Sequence, residues 1–240
     1  MDLGLAGRVA IVAAASKGLG RGVAEALADE GVSLVINARG EEALEAALSS
    51  LAGRGAKVVG YAGDVTSPDV PVALVERAIA EFGRLDIVVT NSGGPKARRA
   101  LDLSDDEVVA AVESNLLTHV RLVRAALPHL ERNGWGRICA IASFGVVQPI
   151  PDLALSNLAR SGLRAWAKTA AQDLGQKNIT LNLVAPGMHR TDRILSLGRV
   201  PDRLGDPGDF GKVVAFLCSE PAGFVNGATI VVDGGETLAL

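Results

Sequence analysis

The sequence predicts an α/β fold, a doubly wound parallel sheet of seven strands with helices on both faces. Three observations predict it. Apolar, β-branched runs of four to six residues alternate with longer amphipathic stretches along the whole chain. The amphipathic stretches are punctuated by helix caps and stops. The 240 residues are 48% hydrophobic and 21% charged, an ordinary globular balance that can bury a core. No Gly/Ser/Pro linker, charge block, low-complexity tract or strict repeat interrupts the chain, so residues 1–240 are expected to form a single domain.

The strands are expected in order at 9–13, 33–37, 57–61, 87–90, 137–142, 180–184 and 229–233. After the first strand and a glycine turn, an amphipathic helix runs to Glu30 and stops at Gly31; Gly83 ends a second helical run in the same way. Ser67-Pro68 and Asp206-Pro207 each read as an N-cap followed by proline at the first helical position, and Ser104-Asp105-Asp106-Glu107 reads as a capping box. Right-handed crossovers place each helix on a sheet face, so the loops at the C-terminal strand ends are expected to frame one crevice.

Charge and composition narrow the function. The 24 basic and 27 acidic side chains give a formal charge of −3, with no basic surplus to neutralise a phosphate backbone, so no nucleic-acid partner is expected. The chain opens Met1-Asp2, and no apolar stretch approaches the roughly 18 residues of a spanning helix. Neither a signal peptide nor a membrane segment is expected, and the expected location is cytoplasmic. Two cysteines, Cys139 and Cys218, are too few for a disulfide framework, and three histidines without cysteine partners make a poor zinc set.

Between the first strand and its helix stands Ala13-Ala14-Ala15-Ser16-Lys17-Gly18-Leu19-Gly20. Glycines at a strand-to-helix turn let backbone approach a pyrophosphate, while the helix N-terminus supplies free N–H groups and a positive dipole. The same glycines would also serve a tight turn with close helix packing, but the βαβ context favours a nucleotide.

The turn resembles the Thr-Gly-x-x-x-Gly-x-Gly of the short-chain dehydrogenase/reductase family, and the likeness extends from end to end. It implies a Rossmann-type dinucleotide-binding domain in which Ser16, Lys17, Gly18, Leu19 and Gly20 hold the coenzyme. Ala13 and Ala14 replace the family's Thr and first Gly, and a methyl at residue 14 is expected to restrict φ or crowd the phosphates. Further matches are Asp64-Val65, which in the family sits by the adenine, and Asn91-Ser92-Gly93 after the fourth strand. Pro186-Gly187 with Thr191 matches the family's nicotinamide loop, and Val232-Asp233-Gly234-Gly235 closes the series.

About twenty residues past the glycines, an NAD enzyme of this type places an acid on the ribose 2′-hydroxyl. Here the strand ends Asn37-Ala38-Arg39, without a carboxylate. Arg39 can fork onto a 2′-phosphate and Lys17 can add charge, so NADP(H) is expected in preference to NAD(H), which stays open; Glu41 and Glu42 stand nearby.

In the family a tyrosine passes a proton to the substrate carbonyl, a lysine four residues on supports it, a serine binds the carbonyl, and an asparagine anchors a water. Ser143 matches the serine and Asn115 the asparagine. Thirteen residues beyond Ser143, however, stands Ser156, and four further on Arg160, where the family has Tyr and Lys. The only tyrosine is Tyr61, in the third strand, and the nearest downstream lysine is Lys168. Positions 156 and 160 lie one helical turn apart, roughly 5 to 6 Å between Cβ atoms, so the arrangement is kept while the chemistry changes. A serine hydroxyl is a poor acid, and arginine stays charged, so Arg160 can polarise an oxygen but cannot shuttle a proton.

Two readings follow. In one, the protein reduces a small-molecule or carrier-bound carbonyl: Ser143 and Ser156 bind it, Arg160 stabilises oxyanion charge, and water or His189 delivers the proton. In the other, it binds a nucleotide without turnover, as a sensor or partner subunit. Overall similarity is greatest to the 3-oxoacyl-acyl-carrier-protein reductases. His119, His129, Arg121 and Arg124 read as helix-surface or subunit-contact residues, and His189 otherwise as an exposed loop residue. Trp166 reads as a core or interface aromatic. The resemblance implies a homodimer or homotetramer formed through the helices after strands four and five. The segment after Thr191 is a short lid with Ile194, Leu195 and Leu197 as its apolar content.

Overall fold

Alternation within single strands explains why two helical layers form. In β1 (Val9–Val12), Ala10 and Val12 point into one apolar core, while Val9 and Ile11 point into the other. A strand buried on both faces is what a parallel sheet between two helix layers requires. The same division recurs in β4 (Ile87–Thr90) and β5 (Gly136–Ile141): Ile87, Val89, Cys139 and Ile141 face one core, Val88, Ile138 and Ala140 the other.

The computed structural model describes residues 1–196 and 203–239. With β2 (Ser33–Ala38), β3 (Val58–Ala62), β6 (Ile179–Pro186) and β7 (Thr229–Val232), the strands form one parallel sheet in the order β3-β2-β1-β4-β5-β6-β7. All seven expected strands are present, with ends shifted by a residue or two. Helices α1 (Gly18–Asp29), α2 (Glu41–Ala52) and α8 (Pro207–Leu217) cover one face. Helices α3 (Val70–Phe82), α5 (Thr118–Asn133) and α6 (Ala154–Gly175) cover the other. The strand order reverses between β1 and β4, which opens a crevice at their C-terminal ends, the ligand position of such sheets.

Helix ends follow the sequence with one exception. Ser104 and Glu107 form the capping box of α4 (Asp105–Val112), and Asp206 caps α8 by accepting from the amides of Gly208 at 2.7 Å and Asp209 at 3.3 Å. Gly31 and Gly83 take left-handed φ values of 77° and 75° beyond the helices they end. Ser67-Pro68 does not cap a helix: α3 starts at Val70, with Asp69 as N-cap and Pro71 in its first turn. The carboxylate of Asp64 accepts from the amide of Thr66 at 3.0 Å and its hydroxyl at 2.9 Å, and Val70 N–H bonds the Ser67 carbonyl at 3.3 Å. These bonds fold the segment into turns and delay the helix.

Helices α1 and α8 touch backbone to backbone. A methyl on Gly22 would lie 2.0 Å from the Pro207 carbonyl oxygen, and one on Gly211 2.1 Å from that of Gly22. No helix among the described residues is long and apolar enough to cross a membrane.

Candidate active site

The coenzyme end is built on Asn37. Its buried amide donates to the carbonyls of Tyr61 at 3.1 Å and Gly63 at 3.0 Å, and its Oδ1 accepts from Ala14 N–H at 3.4 Å. Asn91 donates to the Ala14 carbonyl at 3.4 Å from the end of β4. Held from both sides, Ala14 takes φ +49°, the left-handed conformation. The methyl does not prevent the turn that a glycine would make; it adds strain of about 1–2 kcal/mol instead. Gly20 packs beneath it, where a Cβ would lie 2.4 Å from the Ala14 carbonyl oxygen.

From this turn α1 starts without a side-chain cap at Lys17, so its first N–H groups are left for a ligand. Ser16 and Leu19 are half-buried in the turn, and Asp64 and the buried Val65 follow β3. Arg39 is exposed and has no acid partner among the described residues. Lys17, expected to add charge beside it, instead stands 3.5 Å from Asp192, an ion pair exposed at both ends. Gly93 borders open space, with nothing within 4 Å of an added Cβ. These are features that fit a dinucleotide: free amides on a helix dipole, an unpaired guanidinium at the second strand end, and room beside β4.

Pro186 ends β6, and the amide of Gly187, which follows it, donates to the Val232 carbonyl at 3.0 Å. Thr191 caps α7 (Asp192–Leu195) and lies over the glycine turn, 3.3 Å from where a methyl on Gly18 would stand. Leu197, expected in the lid, lies outside the described residues.

The catalytic end converges on β5. Arg160 is 5% exposed, and its Nη1 donates to the Ile141 carbonyl at 2.8 Å, two residues before Ser143. Burial, and next the charge of Arg193, lower its pKa to about 10, so it stays a cation at neutral pH. The hydroxyl of Ser156, a residue 7% exposed and one turn earlier on α6, has no hydrogen-bond partner among the described residues. Ser143 accepts from Gly145 N–H at 3.2 Å and caps a 3₁₀ turn (Phe144–Val146). Asn157 holds the following loop by bonding Ile150 through both its amide atoms. The loop before α6 is tied to the loop after β4 by backbone bonds from Arg98 to Asp152 and from Ala154 to Arg98.

Asn115 lies in a π-helical turn (Glu113–Leu117) joining α4 to α5, a bulge of the kind found at functional sites. It is fully buried; its amide donates to Ser114 at 2.8 Å, and its Oδ1 has no partner among the described residues, leaving an acceptor free.

Two histidines depart from expectation. His119 is not a surface residue: it is fully buried, shares a 2.7 Å hydrogen bond with Thr90, and lies 3.5 Å from the Ser92 hydroxyl. Burial first, and the Arg160 charge second, hold its pKa at about 3, so it is neutral. The signal was present in the sequence, since residue 119 falls on the apolar stripe of Leu122, Val123, Ala126 and Leu130. His189 is not an exposed loop residue: its Nδ1 meets the Gly187 carbonyl at 3.1 Å, and its ring packs edge-on against Phe210 of α8 at 5.2 Å. His129 and Arg121 are half-buried, Arg124 is exposed, and Trp166 packs partly buried against the core. Arg193, which nothing in the sequence singles out, reaches the Pro95 carbonyl at 3.3 Å.

The family model described as enoyl-(acyl carrier protein) reductase matches residues 13–237. The chain is 30% identical to human dehydrogenase/reductase SDR family member 4, over 96% of this chain and 88% of that protein. It is 33% identical to the 3-oxoacyl-[acyl-carrier-protein] reductase of Vibrio cholerae, over 97% of this chain and 98% of that one. Among solved structures, L-sorbose reductase from Gluconobacter frateurii, complexed with NADPH and L-sorbose, matches with a TM-score of 0.93 at 30% identity, covering 100% of both chains. Fold, motif order and relatives agree, and the chain belongs to the short-chain dehydrogenase/reductase family of oxidoreductases.

Proposed function

We propose that the protein is an NADP(H)-dependent reductase of a ketone, a 3-oxoacyl compound or similar, free or carrier-bound, with an altered catalytic pair. The observation that carries this reading is the convergence on one strand end: Arg160 is anchored to Ile141, beside Ser143 and one turn from the unpartnered Ser156.

When bound, the nicotinamide coenzyme supplies hydride to the carbonyl carbon. The hydroxyls of Ser143 and Ser156 donate to the carbonyl oxygen, and Arg160 stabilises the negative charge that develops there. Arg160 also donates to ribose hydroxyls, while the free Oδ1 of Asn115 orders a water. The proton that completes the alcohol comes from water, because His119 is neutral, His189 faces α8, and Tyr61 lies at the far side of the sheet in β3. The amides of Gly18, Leu19 and Gly20 and the residues Ser16, Asp64, Val65, Asn91, Gly93, Pro186, Gly187 and Thr191 hold the dinucleotide. Arg39 takes the 2′-phosphate.

The neutral His119 and the distant Tyr61 favour a second reading, a nucleotide-binding sensor or partner subunit that does not turn over. The family resemblance implies a homodimer or homotetramer through the helices after β4 and β5, where Val109 and Leu158 are exposed. Titration with NADPH and NADH, then a carbonyl panel on the wild type and on Ser156→Tyr/Arg160→Lys, tests the proposal. NADPH is expected to bind at least about tenfold tighter than NADH, and Arg39→Ala is expected to erase the difference. NADPH binding with no turnover of any carbonyl favours the sensor reading.

A further inference from the structure

Two guanidinium groups stand at the crevice, Arg160 buried and Arg193 exposed, and neither has an acid partner among the described residues. Arg160 is nearly buried and bonded only to the Ile141 carbonyl. Arg193 comes from the opposite wall, on α7, and crosses to the loop after β4. Its guanidinium abuts Gly94, so close that a methyl there would stand 1.8 Å from Nη1, and Nη2 donates to the Pro95 carbonyl at 3.3 Å. The two cations are near enough for Arg193 to depress the pKa of Arg160. Lys96 and Arg190, exposed on the same two loops, are also without acid partners among the described residues. The nearby Arg98 and Arg99 are paired, with Glu107 at 2.8 Å and Asp152 at 3.3 Å. A buried charge without a counter-ion is unfavourable, and a second like charge adds to the cost. The unpartnered Ser156 hydroxyl, one turn from Arg160, is a further open donor in the same place.

We propose that Arg193 is the seat of a substrate carboxylate, so that the site selects carbonyl compounds bearing an acid group, such as short 3-oxo acids. The forked guanidinium of Arg193 takes the carboxylate side-on, in the bidentate geometry that arginine favours. Ser143, Ser156 and Arg160 are left to the carbonyl. The proposal rests on the reductase reading for the role of the ligand, though not for the anion seat itself.

Calorimetry with acetoacetate and with its neutral analogue pentane-2,4-dione, on the free protein and on protein saturated with NADP⁺, tests it. Acetoacetate is expected to bind at least about tenfold tighter than the diketone; Arg193→Gln removes the preference, Arg193→Lys restores part of it, and NADPH affinity is unchanged in both variants. Equal binding of the two probes, or a preference that survives Arg193→Gln, overturns the proposal. So does an Arg193→Gln variant that loses NADPH affinity instead, since the guanidinium would then belong to the coenzyme's diphosphate. Acetoacetate preference in a protein that binds neither coenzyme would sink the reductase reading and leave the carboxylate seat standing.

Discussion

His119 and Thr90 share a 2.7 Å hydrogen bond that joins α5 to the end of β4 under the crevice floor. The ring is buried with no carboxylate beside it among the described residues, and its pKa falls to about 3. The folded-state value lies below the unfolded one, so the unfolded chain binds the extra proton first. Stability is therefore full above about pH 6.5 and is lost as pH falls toward the folded value, at up to about 1.4 kcal/mol per pH unit from this residue. Urea denaturation between pH 7 and pH 4 on the wild type and His119→Gln is expected to show a steeper acid loss in the wild type. Parallel profiles would contradict the assignment.

Ala14 carries a methyl at φ +49°, held by Asn37 and Asn91. Replacing it with glycine relieves left-handed strain at some cost in unfolded-chain entropy, and a net gain of about 0.5–1 kcal/mol is expected for Ala14→Gly. Thermal melts measure it, and an unchanged or lower midpoint would show that the methyl packs better than its backbone suffers.

Arg160 is retained in a buried position with one hydrogen bond and no acid partner among the described residues, an arrangement that favours chemistry over stability. Arg160→Met is expected to raise stability by about 1–2 kcal/mol while abolishing hydride transfer. A destabilised Arg160→Met would mean that the bond to Ile141 outweighs the buried charge.

Period and capping made most of the fold legible. The β1 residues Val9 to Val12 divide between two cores as a strand in a doubly covered sheet must, and Ser104 and Asp206 cap the helices their spacing announces. Ser67-Pro68 misleads because Asp64 captures Thr66 and folds the chain before the helix starts, a competition between local hydrogen bonds that a capping pattern does not resolve. In the site, Gly18, Gly20, Ser143 and Arg160 could be located by spacing, since each sits at a strand end or one turn into a helix. His119 was legible only from its place on the apolar stripe of α5, and His189 not at all, because a distant partner, Phe210, buries it. Arg193 meets Pro95 across almost a hundred residues of chain, a contact made by topology alone.

A crevice with Ser156 and Arg160 is expected still to move hydride to a carbonyl. NADPH carrying deuterium at the transferring position of its ring, incubated with the protein and acetoacetate, tests it directly by mass spectrometry of the product. Deuterium on the new alcohol carbon, absent with Arg160→Met, is the predicted result; coenzyme that binds but keeps its label through a wide panel of ketones would contradict it.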